Sequence, residues 1–112
     1  MPTNSYLPIN FTISLEAWAE IEVIRESYDK NRDDKASVLM ISWVNTVLND
    51  GKSWGHVIIG FYRTSERHEI RDGIQMLSGH EVVFFITPHL YGKFDGKIIK
   101  FGREEGFFLA PN

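Results

Sequence analysis

One stretch of this chain carries helical periodicity, and everything after it is cut into short apolar runs. In "FTISLEAWAEIEVIRESYDK", Ala17, Ile21, Ile24 and Tyr28 recur at spacings of four, three and four. Leu15 and Trp18 widen that apolar stripe. Ser14 or Thr12 supplies an N-cap oxygen, and Glu16, Glu20 and Glu22 suit the positive N-terminal half of a helix. Glu22 and Glu26 form a like-charge pair at i,i+4 that costs a little. The balanced charges of "KNRDDK" then read as a solvated loop that ends the helix.

The remaining residues read mainly as strands. "SVLMISWV" is β-branched and apolar, as in a strand buried on both faces or nearly so. The Asn-Asp-Gly and Ser-Trp-Gly punctuation of "NTVLNDGKSWG" marks a connection, and "HVIIGFYRT" is the next strand. Residues 65–77 carry two signals. Ile70, Ile74 and Leu77 fit a helix face, while Asp72-Gly73 argues for a turn. The balance favours extended structure entering a hairpin at Ser78-Gly79, ahead of the strongest strand pattern, "HEVVFFIT". Thr87-Pro88 is a helix-start signal for one or two turns. Asp95-Gly96 turns the chain into "KIIKF", where Lys100 suggests a strand near a sheet edge. "GREEG" is a further turn, and "FFLAPN" a final strand that buries Phe107 and Leu109. The expected fold is a single α+β domain over residues 1–112, mostly β, with one long N-terminal helix on a twisted mixed sheet or flattened barrel.

Composition narrows the chemistry. A chain of 112 residues can bury roughly 65% of the surface its unfolded form exposes, enough for one core without staples. There are no cysteines, which excludes disulfides, thiolate nucleophiles and cysteine-ligated metal centres. A net charge of −3 gives no general pull toward nucleic acid. The first ten residues lack the basic and apolar regions of a secretory signal, and the longest apolar runs fall far short of the roughly 20 residues of a membrane helix. A cytoplasmic location without membrane attachment is the expectation.

None of the usual catalytic spacings is present. His56, His68, His80 and His89 form no i,i+4 pair and no H-E-x-x-H arrangement. The serines lack a nucleophile elbow. Ser53 in "GKSWG" is glycine-flanked but is not part of a phosphate-binding loop. Asp95, Glu104 and Glu105 read as turn charges. Trp43 is expected at the end of a buried strand. Trp54 sits in a glycine-flanked segment where an exposed indole is costly, so core packing is its first reading and a ligand or partner contact its second.

The order and spacing of "ISLEAWAEI", "VLMISWV", "GKSWGHVIIGF", "EVVFFITPHLYGKFDGKIIKF" and "GFFLAPN" resemble the HesB-like family, the A-type iron–sulfur cluster carriers. The resemblance runs from about Ile9 to Asn112, and "FDGKIIKF" and "GFFLAPN" are its most specific pieces. In that family a loop cysteine and two tail cysteines ligate the cluster. Here the loop position falls near Lys52, and the tail positions near Arg103 and Glu105. Protonated lysine and arginine cannot ligate iron, and one carboxylate cannot replace three soft sulfur donors. The resemblance therefore implies the scaffold without cluster binding.

The functional expectation is a noncatalytic HesB-like binding or interaction module, linked to iron–sulfur biogenesis through an unknown protein partner. No cofactor and no metal are expected. Lys52, Trp54, Arg103 and Glu105 are the candidate contacts, and convergence of Lys52 and Arg103 on one pocket would favour an anion. The alternative is a small metal-binding protein or enzyme using His56, His80 or His89 with Glu104 or Glu105. A homodimer through exposed strand edges and Trp54 is a third expectation.

Overall fold

A computed structural model describes residues 3–112; Met1 and Pro2, part of the segment read for a secretory signal, lie outside the described residues. The element order is β1 (Ser5–Tyr6), β2 (Thr12–Ile13), α1 (Leu15–Asp29), β3 (Ala36–Val47), β4 (Ser53–Arg63), α2 (Arg67–Ile70), β5 (Ile74–Leu77), β6 (His80–Ile86), α3 (Tyr91–Phe94), β7 (Lys97–Gly102) and β8 (Gly106–Pro111). Single 3₁₀ turns precede α2 and α3, and another follows α2.

Helix α1 starts where its cap dictates. Ser14 is extended, and its Oγ accepts the Ala17 backbone N–H at 3.1 Å. Ala17 and Ile21 are fully buried, but Leu15 is 84% exposed and does not join the core stripe. At the other end Asp29 Oδ1 accepts the Ala36 N–H at 2.6 Å, which fixes the turn from the helix into β3.

The larger sheet has the order β1-β6-β3-β4. β3 and β4 form a long antiparallel hairpin from Ala36↔Arg63 to Val47↔Ser53, while β3 and β6 run parallel with Ile41 opposite Phe84. β5 folds back on β6 through the Ser78-Gly79 turn, as expected from the sequence. Since β3 takes one edge of β6, β1 and β5 share the other. The segment after β1 is tied down by an amide that imitates a strand. Gln75 Nε2 donates to the Leu7 carbonyl at 2.7 Å, and its Oε1 accepts the Ile9 N–H at 2.9 Å.

The smaller sheet has the order β2-β7-β8. β7 is therefore central, not an edge strand. β2 pairs only with Ile98 and Ile99, so Lys100 has a ladder partner on the β8 side alone. Residues 64–73 correct a second expectation: they are short helical turns, not extended chain. Local periodicity does not hold them. Arg67 forks onto Glu81 at 2.6 and 2.7 Å, and Ser65 bonds Asp34 through both its N–H and its hydroxyl.

Alternation along β3 and β6 makes two cores. Leu39, Ile41, Val82, Phe84 and Ile86 face α1 and the smaller sheet, while Val38 and Val83 face Ile70 of α2. In the larger core Phe11, Phe84 and Phe94 meet with centroids 4.8 to 5.4 Å apart at tilted to edge-on angles. Such pairs contribute about 0.5–1.5 kcal/mol each beyond their burial. The architecture is α+β and mostly β, and its mixed sheets do not close into a barrel.

Candidate functional site

The gap in that architecture is the site. β4 ends the larger sheet and β8 ends the smaller one; the two approach with Cα atoms within 8 Å but share no ladder. A cleft of about 390 Å³ lies along this seam. From β4 it is lined by Trp54, Gly55 and His56, and from β8 by Phe107, Phe108 and Leu109. Side chains of successive strand residues point to opposite faces. Three consecutive residues lining the cleft from each strand therefore place it along the two unpaired edges. Trp43 and Glu105 complete the lining.

Two glycines shape the walls. Trp43 on β3 bends along its strand so that Nε1 donates to Asn45 Oδ1 at 2.9 Å. Its indole then lies across Gly55, where a Cβ would stand 2.7 Å from Cε2. A side chain at 55 would push the indole away. The Phe94 ring meets that indole edge-on at 5.9 Å, and Lys93 Nζ stands 5.5 Å from its centroid. At the other end the Glu105 carboxylate folds over Gly102, in the space a Cβ would fill. On β4, Trp54 leans on His56 with centroids 4.6 Å apart, and His56 Nδ1 is buried without a hydrogen-bond partner. On β8, Phe107 packs on Phe101 at 4.9 Å.

Two of the four candidate contacts meet here. Trp54 and Glu105 line the cleft; Lys52 and Arg103 are exposed on the adjoining turns and do not. The two cations whose convergence would favour an anion thus stay outside it. Core packing, the first reading of Trp54, is not what the structure shows, since 56% of the residue remains exposed. The hairpin ladder runs on to Val47↔Ser53, so Trp54 belongs to a strand that projects past the core and not to a connection. Phe107 and Leu109 are half-buried against the larger core.

The histidines scatter. His56 shares the cleft with Glu105, His80 stacks on Trp18 at 4.2 Å, and His68 and His89 are exposed elsewhere. No group of three or more His, Asp or Glu side chains suited to a metal ion occurs among the described residues. The donor set does not fit an iron–sulfur cluster either: of Lys52, Arg103 and Glu105, only Glu105 lines the cleft. The local pattern of Phe107, Phe108 and Leu109 is that of a closing strand, and nothing in it marks them as cleft wall. That role comes from β4, which lies about fifty residues away in the chain. No helix among the described residues is long and apolar enough to cross a membrane. No family model, curated protein or solved structure matches this chain.

Proposed function

We propose that this chain is a noncatalytic binding module whose working site is the β4–β8 cleft, occupied by a compact and largely apolar small molecule. The observation that carries the reading is the cleft itself. It falls in the size range of ligand sites, roughly 300–1,000 Å³, and four of its eight lining residues are Trp or Phe. A further strand does not suit the seam. Strands flanking an inserted one stand about 9.5 Å apart, wider than the approach of β4 and β8.

The same reading keeps a HesB-like scaffold whose cluster chemistry is lost. Its support is the order of elements along the chain and the position of the cleft beside the turns that carry Lys52, Arg103 and Glu105, where that family carries its ligands. Anaerobic treatment with iron and sulfide tests this half: stoichiometric uptake with cluster absorption would overturn it. The ligand half is tested with N-phenylnaphthylamine, a neutral fluorophore that brightens in apolar sites. Saturable brightening that Trp54→Glu abolishes is the expected result. Brightening that survives Trp54→Glu unchanged would remove the cleft as the site.

A further inference from the structure

We infer that the β4–β8 cleft takes an organic cation with a quaternary ammonium head, an inference that rests on the reading of the cleft as the binding site. The wall combines two Trp and two Phe with a single carboxylate, and no lysine or arginine is part of it. Indole faces attract cations through their quadrupole, most strongly when the cation leaves water. The Trp43 indole already accepts an ammonium within the molecule: Lys93 Nζ lies 5.5 Å from its centroid, outside the residues that line the cleft. Glu105 makes no ion pair among the described residues, and its carboxylate lies over Gly102.

The head group follows from the donor count. A primary ammonium has three N–H donors and a guanidinium five, each in need of an acceptor, whereas half of the wall's residues are Trp or Phe and Glu105 is its one carboxylate. A quaternary ammonium has no N–H to satisfy. It presents methyl groups to the indoles and its charge to Glu105. The volume exceeds what the head alone would fill, which leaves space for an attached chain. Choline in solution and the phosphocholine headgroup of a lipid share this chemistry.

The test titrates choline and dimethylbutanol, its uncharged carbon isostere, into the full chain. Tryptophan fluorescence and the indole N–H resonances are followed, with Trp18 on α1 as the internal control. Choline is expected to bind about tenfold more tightly than dimethylbutanol and to move the Trp43 and Trp54 resonances but not that of Trp18. Trp54→Ala should weaken choline binding roughly two- to thirtyfold, with Trp54→Tyr restoring most of it. Glu105→Gln should weaken choline roughly two- to fivefold, a larger effect than on the neutral N-phenylnaphthylamine. Equal affinity for choline and dimethylbutanol would overturn the cation assignment while leaving a neutral binding cleft. Failure of choline, dimethylbutanol and N-phenylnaphthylamine alike would overturn the cleft as a site altogether. Phosphatidylcholine vesicles that displace choline would support the assignment with a lipid headgroup as the source; vesicles that do not displace it would support it with a soluble cation.

Discussion

Replacing Gly55 by alanine places a methyl group where the Trp43 indole lies. The new Cβ would stand 2.6 Å from Asn45 Oδ1 and 2.7 Å from Trp43 Cε2, so the indole must rotate away from β4. Forcing extra carbon into a filled space costs about 1–3 kcal/mol. The bond from Trp43 Nε1 to Asn45 is lost with the rotation, and being exposed it adds at most about 1 kcal/mol. Alanine returns about 0.5–1 kcal/mol by restricting the unfolded chain. The balance is a loss of about 1–2 kcal/mol, equivalent to roughly 4–8 °C in Tm for a domain of this size. Thermal unfolding by circular dichroism measures the loss, and the Trp43 indole N–H resonance reports the displaced ring. An unchanged or raised Tm with that resonance in place would refute the close approach of indole and backbone. Trp54→Ala is the matched comparison: at 56% exposure it should change stability by less than about 0.5 kcal/mol. Gly55 thus acts on the fold and the cleft together, whereas Trp54 acts on the cleft.

Other substitutions probe the frame that holds the cleft. Ser14→Ala removes the oxygen that accepts the Ala17 N–H and should cost about 1 kcal/mol in urea unfolding. Ser78 holds a positive φ of 52° in the β5–β6 turn; Ser78→Asn, better suited to such a turn, should raise the urea midpoint by the equivalent of about 0.5 kcal/mol. Arg67 hydrogen bonds hold Glu81 below the usual carboxylate range. Its folded pKa is depressed, so the stabilisation is present above the unfolded glutamate value and is lost as pH falls through the folded one. Urea midpoints of the wild type should exceed those of Glu81→Gln at neutral pH, and the gap should close in acid; a gap that widens in acid would contradict the pairing.

The parts legible in the sequence are those fixed by contacts close in the chain. The Ser14 cap, the turn at Ser78-Gly79 and the β7–β8 hairpin are all of this kind. The exposure of Leu15 is not legible, because helix periodicity alone does not show where the core stripe ends. The turns over 64–73 are not legible because Arg67 and Ser65 are anchored by Glu81 and Asp34, remote partners that no local pattern displays. The site was half legible. Trp54 is legible as an indole in a glycine-rich segment and Glu105 as a charge at a tail turn. Their meeting depends on two sheets ending side by side, and the register of β4 against β8 is set by tertiary packing. Lys52 and Arg103 each sit two residues from those lining positions and remain on the turns.

The cleft as the working site is tested most directly by mapping backbone and indole N–H shifts while N-phenylnaphthylamine is added to the full chain. If the β4–β8 seam binds, saturable shifts will gather at Trp43, Trp54, His56 and Phe107–Leu109, and Trp18 will stay still. Saturable shifts centred away from these residues, or none at all, would contradict it.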